Sequence, residues 1–199
     1  MRAYLVGALL AACGVASAAA SWDVENTGQP AIDVAFDVEE GTWMSVDVSP
    51  DGNTLMFDLL GDIYSLPAAG GEARLVHGGA AMQRSPRFSP DGKQMLYVND
   101  ASGGDNIWLS NVDGSAARAV TSQTVNSLTG AQWLPDGQAF VAAQLFAGDD
   151  KLHAAELRLF DLSGGAGRIL VPAPASGENV HEARSEEHTS ELQSQNRIS

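Results

Sequence analysis

Three stretches of this chain repeat one phrase. "VDVSPDGNTLMFDL" starts at Val46, "RFSPDGKQMLYV" at Arg87 and "AQWLPDGQAFVAAQL" at Ala131. Their prolines, Pro50, Pro90 and Pro135, stand 40 and 45 residues apart. Self-similarity at that period restricts a chain to architectures in which each repeat is one supersecondary unit that needs its neighbours to bury its apolar face.

Each unit reads as four short strands. The first is "SVDV", "SPRF" or "GAQW", with apolar residues alternating at Val46 and Val48, or at Ala131 and Trp133, which predicts one buried face. A tight turn follows. Proline presets φ for its second position, aspartate suits the third, and glycine takes the left-handed conformation that lets pairing resume. The second strands are "TLMFDL", "QMLYVND" and "AFVAAQL"; the third are "DIYSL", "NIWLS" and "ELRLF". Another glycine turn comes next, and four residues beyond Gly70, Gly114 and Gly164 stand Arg74, Arg118 and Arg168. These arginines fall in the fourth, outermost strand, where a charge discourages edge-to-edge association, and that structural role is preferred to anion binding.

Four antiparallel strands per unit, repeated radially, predict an all-β fold. It is an incomplete β-propeller of about three four-stranded antiparallel blades, preceded by a signal peptide. The blades span 42–183, at about 42–80, 81–125 and 126–175 with the start of a fourth, and 21–41 is a lead-in and candidate ring-closing strand. Alternating strands put the PDG and glycine turns on one face and the longer loops on the other. Two of those loops are "NDASGGDN" from Asn99 and "QLFAGDDKLHAAE" from Gln144, so the candidate ligand contacts are Asp100, Asp105, Asp149, Asp150 and His153. A metal is not expected there, because adjacent aspartates rarely converge on one ion and no second cluster is visible. His77, His153, His181 and His188 lie far apart, in loops or tail. No catalytic, cofactor-binding or metal-ligating residue is assigned.

Ahead of the blades, "AYLVGALLAACGVASAAA" follows a single positive charge and closes in small residues, the pattern of a secretory signal peptide over residues 1–20. "LAAC" at Leu10 to Cys13 leaves a second reading open, a lipoprotein acylated at Cys13. Either way the expected location is exported, periplasmic or secreted, with no transmembrane span. The net charge of −14, without a basic cluster, argues against nucleic acid as a partner. With 21 glycines and only 18% charged residues, many turns are expected rather than long solvated helices.

The strings "MSVDVSPDG", "GDIYSLPAAGGEARLV" and "RFSPDGKQMLYVNDASGGDNIWLSNVDGSAARAVT" resemble the TolB-type, WD40-like repeats called PD40, over roughly residues 22 to 184. They lack the Gly-His and Trp-Asp pairs of ordinary WD40 blades. The early start of the blades most resembles the N-terminal propeller of large exported amidohydrolases, since TolB places a separate domain first. The resemblance implies a propeller fragment of a larger hydrolase, foremost a metal-dependent amidohydrolase, serving as scaffold or substrate gate. The alternatives are a tricorn-like or prolyl-oligopeptidase-like peptidase, or a non-enzymatic periplasmic propeller that binds protein. It implies no cofactor in these residues, a divalent metal such as zinc in the missing C-terminal domain, and as partners that domain and a peptide or protein on the loop face. No His-x-His pair, Gly-x-Ser-x-Gly elbow or phosphate-binding glycine loop is present.

Where a fourth blade falls due, the text changes. Ala183-Arg184 stands where Pro86-Arg87 stood, but Arg184 to Ser194, "RSEEHTSELQS", resembles the translation of a DNA-library adapter, and Ile198-Ser199 fits its continuation. Residues 184–199 are therefore expected to be an artefact.

Overall fold

The computed structural model describes residues 24, 25, 28, 30, 40–146 and 155–173. It contains twelve strands in three antiparallel sheets and, among the described residues, no helix. The first sheet is β1 (Val46–Val48), β2 (Thr54–Leu59), β3 (Asp62–Pro67) and β4 (Arg74–His77). The second is β5 (Gln83–Phe88), β6 (Gln94–Asn99), β7 (Asn106–Asn111) and β8 (Arg118–Ala119). The third is β9 (Ser127–Trp133), β10 (Ala139–Leu145), β11 (Ala155–Asp161) and β12 (Gly164–Val171). Strands pair in chain order within each sheet, so each repeat is one meander. The sheets stack as three blades of an incomplete propeller.

The PDG turns take the expected form. Gly52, Gly92 and Gly137 have φ of 74°, 70° and 67°, and each amide donates to the carbonyl three residues back at 2.8–2.9 Å. In the first two, the aspartate also ties the turn together. Asp51 Oδ1 accepts from the Ser49 hydroxyl (2.6 Å) and Asn53 N (3.0 Å), and Asp91 Oδ1 repeats this with Ser89 and Lys93 N. In the third, Leu134 replaces serine and only the backbone bond from Gln138 to Asp136 remains.

The core lies between the blades. At the first seam, Met56 and Ile63 meet Phe88, Met95 and Tyr97. At the second, Leu96, Val98 and Ile107 meet Trp133, Phe140 and Phe160. Strand β6 therefore buries alternate residues on opposite sides, Met95 and Tyr97 towards the first blade, Leu96 and Val98 towards the third. Each such side chain contributes about 1.5–3 kcal/mol of burial.

Glycines set how closely the blades approach. A Cβ on Gly114 would stand 2.5 Å from Val76 O, and one on Gly164 would collide with Val120 O. The glycine turn of each following blade thus abuts the outer strand before it. Arg118 strengthens the same joint, its Nη2 donating to Leu162 O at 2.7 Å. This extends the expected role: Arg118 is exposed on its edge, as predicted, but it also bonds the next blade.

One expectation holds in only part of the fold. Ala131 and Trp133 are buried, whereas Val46 and Val48 are 59% and 50% exposed. The pattern is the same; the difference is that among the described residues no strand packs on that face of the first blade. Cross-strand pairing gathers Val46, Phe57, Tyr64 and Leu75 there, with Val48, Leu55 and Leu66 beside them. At the other end, Val141 and Leu159, and Leu157 and Val171, form the outward face of the third blade.

Candidate functional site

Where they are described, the loop-face candidates make hydrogen bonds within the fold. Asp100 Oδ1 accepts from Met82 N at 2.8 Å, and Asp105 Oδ2 pairs with Arg84 Nη2 at 2.7 Å. Asp105 thus ties the β6–β7 connection to strand β5, and Asp100 ties it to the residue just before that strand. Asp149, Asp150 and His153 lie outside the described residues, as do His181, His188 and the tail from Arg184. The loops themselves vary: in the first blade the β2–β3 connection is only Leu60-Gly61, both with positive φ. Among the described residues no group of three His, Cys, Asp or Glu side chains is placed to hold a metal ion.

Two residues that the sequence did not single out organise this face. Asn106 is fully buried and satisfied on both sides of its amide. Nδ2 donates to Ser102 Oγ, Gly104 O and Gln123 O, while Oδ1 accepts from Thr121 Oγ1 and Gln123 N. Glu25, from the lead-in, accepts from Ala80 N and Ala81 N at 3.0 Å each. Glu25 thereby caps the connection between the first two blades at Ala80 and Ala81.

His77, expected in a loop, ends strand β4. Its ring stacks on Tyr97 with centroids 4.8 Å apart, and Nε2 lies 3.1 Å from Ser110 Oγ. Burial pushes its pKa below the ordinary value and pushes the Tyr97 phenol up to about 12. These groups belong to the first seam and reach no cavity described below.

The more promising site is on the PDG side. Asp47, Arg87 and Gln132 occupy the same position in the three inner strands, three residues before each PDG proline. They line one cavity of about 270 Å³, walled by Phe88, Pro90 and Trp133. Asp47 Oδ2 accepts from Phe88 N across the seam at 2.7 Å, and Trp133 Nε1 donates to Arg87 O at 3.1 Å, so both walls are held in place. Arg87 spends one donor on Pro86 O at 2.7 Å and forms no ion pair among the described residues. Burial raises the pKa of Asp47, against the lowering effects of the Phe88 amide and the Arg87 charge. The cavity thus offers an acid, a guanidinium and an amide on a rigid aromatic and proline wall. A sequence signal existed: the repeat alignment puts three different polar residues at one inner-strand position. Their convergence depends on blade stacking, which no local pattern shows.

No protein-family model matches the chain. It is similar to the uncharacterized protein Atu1656 of Agrobacterium fabrum, 31% identical over 130 residues, 59% of this chain and 42% of that protein. It is 30% identical over 95 residues to dipeptidyl aminopeptidase BIII of Pseudoxanthomonas mexicana, 47% of this chain and 13% of that one. Tricorn protease homolog 1 of Streptomyces coelicolor is 26% identical over 125 residues, 63% of this chain and 12% of that one. The chain therefore spans less than half the length of each of these curated relatives. Among solved structures, a putative TolB from Agrobacterium tumefaciens superposes with a TM-score of 0.57 at 22% identity, over 67% of this chain and 52% of that one. TolB from Acinetobacter baumannii gives 0.55 at 19%, over 67% and 33%. At these identities the likeness establishes a TolB-like propeller fold.

Proposed function

We propose that this chain is the propeller part of an exported hydrolase, that its blades frame and gate a catalytic domain elsewhere in the same polypeptide, and that the substrate is a peptide. The observation that carries the reading is the pair of outward apolar faces. Val48 and Leu55 stand where Phe88 and Met95 stand in the first seam; Val141 and Leu157 stand where Met56 and Ile63 stand. These faces match blade seams, and further blades of the same repeat would bury them. Ring closure takes about 4 to 8 blades.

The peptide class is supported by two relatives, an aminopeptidase and a protease, each matched over a small share of its length. None of the relatives named above is an amidohydrolase, so that finer assignment gains no support, and zinc belongs to this proposal only in that form. Export rests on the N-terminal sequence pattern. Among the described residues no helix is long and apolar enough to cross a membrane.

The test is to amplify the locus from source DNA without ligated adapters and read beyond codon 184. The reading expects Phe-Ser-Pro-Asp-Gly, further blades and a serine-peptidase domain. A reading frame that stops after "SEEHTSELQS", or one that closes the ring and ends, overturns it; a His-x-His metal domain instead overturns the peptide assignment.

A further inference from the structure

The inner-strand cavity is chemically asymmetric. At its position the first blade supplies a carboxylate, the second a guanidinium and the third an amide, although the three blades are copies of one repeat. Simple repetition does not require this. Asp47 and Arg87 line the same cavity without closing into an ion pair: Asp47 Oδ2 accepts from Phe88 N, Arg87 Nη1 donates to Pro86 O, and the Arg87 charge acts on Asp47 from within the same lining. Burial disfavours the charged form of Asp47, which an approaching cation offsets.

We propose that this cavity binds a short peptide with both ends free, its ammonium group against Asp47 and its terminal carboxylate against Arg87 and Gln132. A planar guanidinium suits a carboxylate, which it can engage through two parallel hydrogen bonds. At about 270 Å³ the space lies just under the usual range of small-ligand pockets, about 300–1,000 Å³, which limits the occupant to dipeptide size. Phe88, Pro90 and Trp133 provide apolar walls for small side chains. The hydrogen bonds from Phe88 N to Asp47 and from Trp133 Nε1 to Arg87 O cross both seams, so the site is preorganised only while the blades are stacked.

The choice of a peptide rests on the peptide-gating reading above, but the charge pattern does not. Calorimetric titration of the full-length protein with Ala-Ala, N-acetyl-Ala-Ala and Ala-Ala-amide, near neutral pH and at low salt, tests it. Ala-Ala should bind, and blocking either end should weaken binding roughly 10- to 100-fold, the loss expected for one charge-assisted hydrogen bond. R87Q should weaken Ala-Ala and leave the amide unchanged; D47N should weaken Ala-Ala and leave the N-acetyl form unchanged. Equal affinity for the three ligands, or no binding of Ala-Ala at millimolar concentration, overturns the inference. The comparison among ligands uses the unaltered protein, so a variant that misfolds does not protect the proposal. Loss of end-selectivity sinks this inference and leaves the functional reading standing, whereas a locus without a peptidase domain sinks the functional reading and removes its support for a peptide, with the titration still deciding whether Ala-Ala binds by its two ends.

Discussion

Single side chains at the seams combine two roles, and their titration shows which. His77 is held neutral by burial, with its pKa lowered from 6.5, and it packs on Tyr97 and Ser110 of the second blade. Because the unfolded chain takes up the proton first as pH falls, stability should be intact above about pH 7 and decline towards about pH 5. Melting temperatures measured across that range should fall on acidification, and H77Q should flatten the dependence. Asp47 works in the opposite sense. Its folded pKa is raised above 3.8, so its contribution is fully present below that value and is lost as pH rises through the raised one. D47N keeps an oxygen acceptor for Phe88 N and removes the buried charge, so it should melt higher than the parent at neutral pH. D47A leaves that amide unpaired and should cost about 1–3 kcal/mol in denaturant unfolding. A D47N protein that melts lower would show that the charge itself holds the seam.

Strands and turns were the most legible level. The runs "TLMFDL" and "AFVAAQL", expected as second strands after the tight turn, coincide with strands β2 and β10, and the PDG glycines adopt the φ that the turn type demands. What the repeat hid is how one element docks on the next. Asp58 is an example: it sits in an ordinary strand pattern, yet its carboxylate accepts from Ser45 N at 2.8 Å and from Ser85 N at 2.6 Å in the next blade. Ser85 itself has φ of 56°, at the irregularity in the β5–β6 register. Bonds over such sequence separations leave no local pattern. The glycine turns allow a controlled test of docking. Gly164 and Gly165 have nearly equal φ, 94° and 95°, but only Gly164 meets the preceding blade, at Val120 O. Both alanine variants carry the left-handed strain of roughly 1–2 kcal/mol. G164A should lose at least about 1 kcal/mol more than G165A in urea unfolding, because the blades must also separate. Equal losses would mean that the turn is not a docking point.

For the whole molecule, the arc explains why two faces of similar composition have different exposures. Phe88 and Met95 are buried because a preceding blade covers them, while Val48, at the position equivalent to Phe88, is half exposed. The candidate site shows the same division. Asp100 and Asp105 could be picked out as polar loop residues, while their bonds to Met82 N and Arg84 could not. Asp47, Arg87 and Gln132 lie inside strand-like text, and only radial stacking brings them to one cavity. The central claim is that these three sheets are consecutive blades of a ring whose other members repeat the same seams. The measurement that tests it most directly is a structure of the full-length protein by single-particle imaging. The account predicts a further four-stranded sheet on Val48, Leu55 and Phe57, with its proline turn set against Gly52 as Pro50 is set against Gly92. Finding that face in solvent, or covered by something other than a blade, would contradict it.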